Sequence, residues 1–147
     1  MKTLWDESAR RELKDRLGNL QATAQARWGK FTAPQMLVHV VDALRMANGE
    51  ITLAPRNLPI RFTPIKQILI FWLPFPKGAP TAPELLNQDI GDWALGLANL
   101  RAQLDTFGAR DPNGPCPEHP AFGKLSPKAW GVLGYRHIDH HFKQFGV

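Results

Sequence analysis

Ile90, Trp93, Leu97, Leu100, Leu104 and Phe107 recur every three or four residues, a spacing that sets all six side chains along one stripe of one helix. A stripe so complete is buried only against other helices, so it predicts a long helix over residues 89–107 at the centre of a bundle. Three other stretches share the period. Leu13, Leu17, Leu20 and Ala24 mark an amphipathic helix over residues 6–27, closed by Gly29. Met36, Val40, Ala43 and Ala47, widened by Leu37, Val41 and Leu44, mark a second that Asn48-Gly49 ends. Its start is written in Thr32-Ala33-Pro34-Gln35, where a threonine can cap the first turn and a glutamine three residues on can bond back. Ser126-Pro127 opens a last helix through Gln144, with Gly146 as its stop.

The connections are long. Residues 50–59 form an irregular link, and Thr63-Pro64 can cap an extra short helix through Trp72, although a short strand competes because Ile65, Ile68, Leu69, Ile70 and Phe71 are bulky or branched. In either form the run Ile68–Leu73 reads as a buried element. Proline-rich and glycine-rich loops follow over residues 74–83 and 108–124. The expectation is an all-α four-helix bundle with long loops, filling residues 1–147 as one domain.

No apolar run approaches the ~20 residues that span a bilayer, and the opening Met1-Lys2-Thr3-Leu4-Trp5-Asp6-Glu7 has no signal-peptide character, so no membrane partner and a cytoplasmic location are expected. One cysteine, Cys116, rules out an internal disulfide framework and a cysteine-rich zinc cluster. The net charge of +5 is spread among acids, as in Arg10-Arg11-Glu12-Leu13-Lys14-Asp15-Arg16, and no aromatic platform runs beside it, which argues against nucleic acid. Zincin, phosphate-loop, dinucleotide-loop and nucleophile-elbow motifs are absent.

The chemistry gathers in His137-Ile138-Asp139-His140-His141. Residues four apart share a helix face with a rise of about 6 Å, so His137 and His141 can turn their rings to one ion. Their face also carries Trp130, Gly134 and Phe145, which aims both toward the core, where a buried imidazole requires partners. His39, on the edge of the second helix's apolar stripe, offers a third ligand from a facing helix. Three protein ligands leave a position open, as catalytic zinc sites do, and nickel, cobalt or iron would accept the same set. A histidine pair at this spacing is by itself a weak signal, since packed or surface pairs share it.

Around the trio, Asp42 and Asp139 could accept a proton from a ligand ring, and Gln144 could bind a ring or a substrate; ordinary surface polarity is the alternative for all three. His140 points about 100° away, toward solvent or a tautomer-fixing contact. His119 sits in a loop that can reach the site, bind substrate, move protons or cap its own turn.

Three segments carry a family resemblance: Lys30 to His39, Leu73 to Thr81, and His119 to Lys124 together with Arg136 to Phe145. The ending His137-x-x-His140-His141-x-x-Gln144 is the most specific part. With these the chain resembles the DinB-like superfamily of metal-dependent helical bundles, in a bacterial subgroup whose domain has no assigned function. The resemblance implies metal ligands at His39, His137 and His141, an up-down-down-up bundle with one long crossover, zinc or nickel as the occupant, and a homodimer. Some members of that superfamily use low-molecular-weight thiols such as mycothiol or bacillithiol.

Two functions stay open on these grounds. One is a metal-dependent enzyme on a small-molecule substrate, a thiol-dependent transferase in which the metal activates a thiol or water. The other is a non-enzymatic metal-binding or stress-response module that self-associates.

Overall fold

The computed structural model describes residues 1–77 and 91–147. Among them are five α-helices and no strand: α1 (Glu7–Gly18), α2 (Ala33–Ala47), α3 (Ile65–Phe71), α4 (Trp93–Ala109) and α5 (Pro127–Gln144), with a short 3-10 turn at Pro59–Arg61. The starts obey local chemistry. Thr32 and Gln35 form the reciprocal cap of α2, with Thr32 Oγ1 accepting from the Gln35 amide and Gln35 Oε1 accepting from the Thr32 amide. Asp92 and Ser126 cap α4 and α5 in the same sense, each accepting from the amide three residues on.

α1, α2, α4 and α5 make a square in which α1 and α2 each pack against both α4 and α5. Side-chain contacts give the directions. α1 runs parallel to α5, because the Leu4 amide donates to the Gly131 carbonyl at one end and Arg16 reaches Asp139 and the Val147 carbonyl at the other. It runs against α4, where Lys14 meets Asp105 and Gly18 lies beside Arg101. α2 runs along α4, with Leu37 against Gly96 and Asn48 donating to Gln103, and against α5, with Phe31 beside His141 and His39 beside His137. The order is up-down-down-up, and the α2–α4 crossover carries α3. This is a DinB-like bundle.

Its core is the expected stripes. Leu13, Leu17, Met36, Val40, Leu100, Leu104, Phe107, Ile138 and Phe142 are fully buried, each contributing about 1.5–3 kcal/mol by leaving water.

Three local expectations change. α1 stops at Gly18, not near Arg27: a glycine and then Asn19 end the helical run, and the following segment turns back so that the Arg27 amide donates to the Gln144 carbonyl at 2.8 Å. The segment after Thr63 is helical rather than extended, but Thr63 does not cap it and Pro64 occupies the cap position. It is not a buried element either, because Ile70 alone is buried in α3 while Ile65 and Ile68 face out. Ile70 seats α3 on Ala129, Val132 and Leu133 of α5. α4 begins at Trp93; the expected first turn at Asp89 and Ile90, and the part of the 74–83 loop beyond Lys77, lie outside the described residues.

A candidate metal centre between two helices

His137 and His141, one turn apart on α5, meet His39 from the antiparallel α2. One ring nitrogen from each lies within 4.8 Å of the others, and the Nε2 atoms of His39 and His137 are 3.0 Å apart. Nitrogens on a tetrahedral zinc ion stand about 3.3 Å from one another, so this spread is of the size that one ion spans. The three rings meet edge to face, with centroids 4.8–4.9 Å apart, as donors directed at a common point do and as stacked rings do not.

Their protonation suits a cation. Burial, helped by the nearby His141, pushes His39 down to about 3. Burial does the same to His141, to about 4, against the contrary pull of its hydrogen bond to Gln144. His137 is driven well below its ordinary value by burial first and then by the surrounding histidines. At neutral pH all three are uncharged and hold lone pairs.

Gln144 decides which lone pair His141 presents. Its Nε2 donates to the Trp28 carbonyl at 2.6 Å, which turns its Oε1 toward His141 Nδ1 at 2.8 Å. A carbonyl oxygen only accepts, so Nδ1 carries the proton and Nε2 is left free for a metal. Gly29 makes this possible: at φ 77° it lets the chain pass so close that a Cβ there would stand 2.7 Å from Gln144 Nε2. His39 lacks such an orienter. Its Nδ1 is buried with no hydrogen-bond partner, and so is Oδ2 of Asp42, one turn along the same helix, whose Oδ1 accepts from Arg45 at 3.1 Å. Two orphaned groups, a donor and an acceptor, therefore flank the ligand set, and a metal on His39 Nε2 would require the proton to sit on Nδ1. The donor set and the orphaned nitrogen both fit a divalent ion.

The other candidates fall elsewhere. Asp139 is taken by Arg16 at 2.8 Å and Lys143 at 2.8 Å; burial raises its pKa, but these hydrogen bonds outweigh burial and hold it below the usual carboxylate range. It ties α5 to α1 and does not touch a ligand ring. His140 is half-buried against Trp28 and Phe75, with ring centroids 5.5 and 6.0 Å away. His119 accepts at Nδ1 from the amides of Ala121 and Phe122, at 3.1 and 3.2 Å, and packs on Trp130. It holds its own loop and stands outside the trio; burial and then Arg61 bring it to about 4. Cys116 is partly buried beside Arg110, away from the trio.

Residue-type reasoning did not single out several neighbours. Phe31 stacks on His39 at 5.3 Å, and Phe75 lies 6.4 Å from His137. Arg136, next to His137, donates to the carbonyls of Leu69, Ile70 and Leu73, so that α5 grips the end of α3 and the guanidinium covers Phe75. Only Gly29, a glycine just ahead of a cap, carried a sequence signal for its place.

A family model described as "Protein of unknown function (DUF1569)" matches residues 8–146. No curated protein and no solved structure matches the chain.

Proposed function

The chain belongs to the DUF1569 family, and we propose that in it His39, His137 and His141 hold one divalent metal ion that binds a low-molecular-weight thiol for transfer to a small electrophile. The observation that carries the proposal is the convergence of three neutral imidazoles with an oriented tautomer at His141. Bound there, zinc or nickel would supply Lewis acidity and lower the pKa of a thiol or a water.

The chain's own residues favour thiol over water. Activation of water for hydrolysis is helped by a carboxylate base at the site. Among the described residues Asp139 is engaged with Arg16 and Lys143, and Asp42 has Oδ1 committed to Arg45, with only the buried Oδ2 left to serve His39. A thiol, whose ordinary pKa of about 8.5 lies far closer to neutrality than that of water, ionises on a metal without such a base. Phe31 and Phe75 present an apolar wall beside the trio that excludes water and accepts the carbon skeleton of a substrate. Asp42 acts as the positioning residue for His39, accepting from Nδ1 once Nε2 is committed to the metal.

The test is a panel of low-molecular-weight thiols mixed with a chromogenic electrophile, using metal-loaded protein and the His137→Ala variant. Thiol consumption that needs both metal and His137 is the expected result. A loaded protein that turns over no thiol in the panel but hydrolyses ester substrates contradicts the thiol reading, and one that does neither favours a non-enzymatic metal module.

A further inference from the structure

Of the eight large apolar side chains that stand most exposed among the described residues, six lie between Leu58 and Leu73. Trp72 is 78% exposed and Phe62 64%, and with Ile65 and Ile68 they follow a three-to-four-residue period along the outer face of α3 and the turn before it. Leaving such a face in water is unfavourable, and isolated exposed side chains do not cluster this way. Among the described residues no helix covers the outer side of α3: it packs on α5 through Ile70, and Arg136 grips its end.

Among the described residues the charge around this face is mainly positive. Residues 51–77 include Arg56, Arg61, Lys66 and Lys77 and no acid, although the chain as a whole has 13 acids against 18 bases. Lys66 donates to the Lys124 carbonyl, which brings Lys124 and the exposed Lys128 at the start of α5 to the same side. Glu118 lies 3.8 Å from Arg61. An apolar patch ringed by cations would repel a second copy of itself across a twofold axis, because like charges would face like. Neither the cavity lined by Met46 and Leu53 nor the one lined by Asp42 and Asn99 includes a residue of this face. A surface that is anionic outside and apolar a few ångströms in, accepting tryptophan and phenylalanine at the boundary, matches it on both counts.

We propose that the outer face of α3, with Phe62, Ile65, Ile68 and Trp72 inserted and Lys66, Lys124 and Lys128 around them, docks the protein onto an anionic phospholipid surface. This is docking and not crossing, since no helix among the described residues is long and apolar enough to span a membrane. The face continues through Leu73 to Phe75, whose ring is 6.4 Å from His137, so the docked side adjoins the metal centre. The inference does not depend on the identity of the metal or on any activity.

The experiment is co-sedimentation of the full chain with vesicles of phosphatidylcholine alone and of phosphatidylcholine with one third phosphatidylglycerol, at low and high salt. Binding to the anionic vesicles at least tenfold above the neutral ones, weakened by salt and accompanied by a blue shift of tryptophan emission, is expected. The Phe62→Ser/Trp72→Ser variant, whose fold circular dichroism checks, should lose that binding tenfold or more. Lys128→Glu, which places an acid at a helix start and so keeps the fold, should weaken it several-fold. Equal binding to both vesicles, no binding to either, or a double variant that binds like the parent overturns the proposal. So does a concentration-dependent dimer in sedimentation equilibrium that the double variant abolishes, which would assign the face to a second copy.

Discussion

Gln144 Oε1 lies 2.8 Å from Nδ1 of His141, and this contact, set by the Trp28 carbonyl on the amide's other side, leaves His141 with a free Nε2 facing His39 and His137. A residue that is not itself a ligand thus sets the direction of one.

Replacing Gln144 by leucine removes that orientation and leaves the Trp28 carbonyl without its donor. The expected loss in metal affinity is about 10- to 100-fold, read by competition with a chromophoric chelator. Stability should fall by about 1–3 kcal/mol, read by urea denaturation of the metal-free protein. An unchanged affinity would separate Gln144 from the metal centre.

Gly29 is tied to the same contact. Gly29→Ala places a Cβ at a positive φ and against Gln144 Nε2, so it should destabilise by about 1–3 kcal/mol. In a Gln144→Ala background the collision disappears and the backbone cost alone remains. A double-mutant cycle in urea should therefore be non-additive, and strict additivity would place Gln144 elsewhere.

The bundle and the α5 half of the trio were legible for one reason: both depend on spacing along a single helix, whereas His39 joins from α2. His137, His141 and Gln144 fall on one face of α5 at intervals of four and three, and the apolar stripes of α2 and α4 fall on theirs. What periodicity does not carry is the partner across space. Asp139, two residues from each ligand and so on the other face of α5, is taken there by Arg16 of α1, a partner that no feature of α5 announces. α3 shows the complementary limit: apolar composition led to an expectation of burial, while only Ile70 finds a neighbouring helix to pack on. The early end of α1 turns on Gly18-Asn19, a local stop that outweighs the apolar period continuing through Ala24.

Arg136 joins α5 to the crossover. Arg136→Met keeps the aliphatic stem and strips the donors from the carbonyls of Leu69, Ile70 and Leu73. A loss of about 1–3 kcal/mol in global or local stability follows, together with faster hydrogen exchange over residues 65–73 than over α2. Uniform exchange in both segments would mean that α3 holds its place without the arginine.

The histidines make metal-free stability depend on pH. In the folded state His39 is pushed to about 3 and His141 to about 4, below the value of about 6.5 that an unfolded histidine has. Between these limits the unfolded chain binds more protons, so stability rises with pH. It is full above about pH 6.5 and drains away as pH falls toward 4. Urea midpoints measured at steps from pH 7.5 to 4.5 should decline through that window, and His39→Leu should flatten the decline. A flat profile in the parent protein would show the rings to be no less basic folded than unfolded.

The central claim is tested most directly by elemental analysis of untagged protein after remetallation and desalting, run in parallel on the parent and on His39→Ala, His137→Ala and His141→Ala. The trio predicts one divalent ion per chain in the parent and a loss of stoichiometric metal in each variant. A folded parent that retains no ion, or variants that retain it fully, would contradict the metal centre.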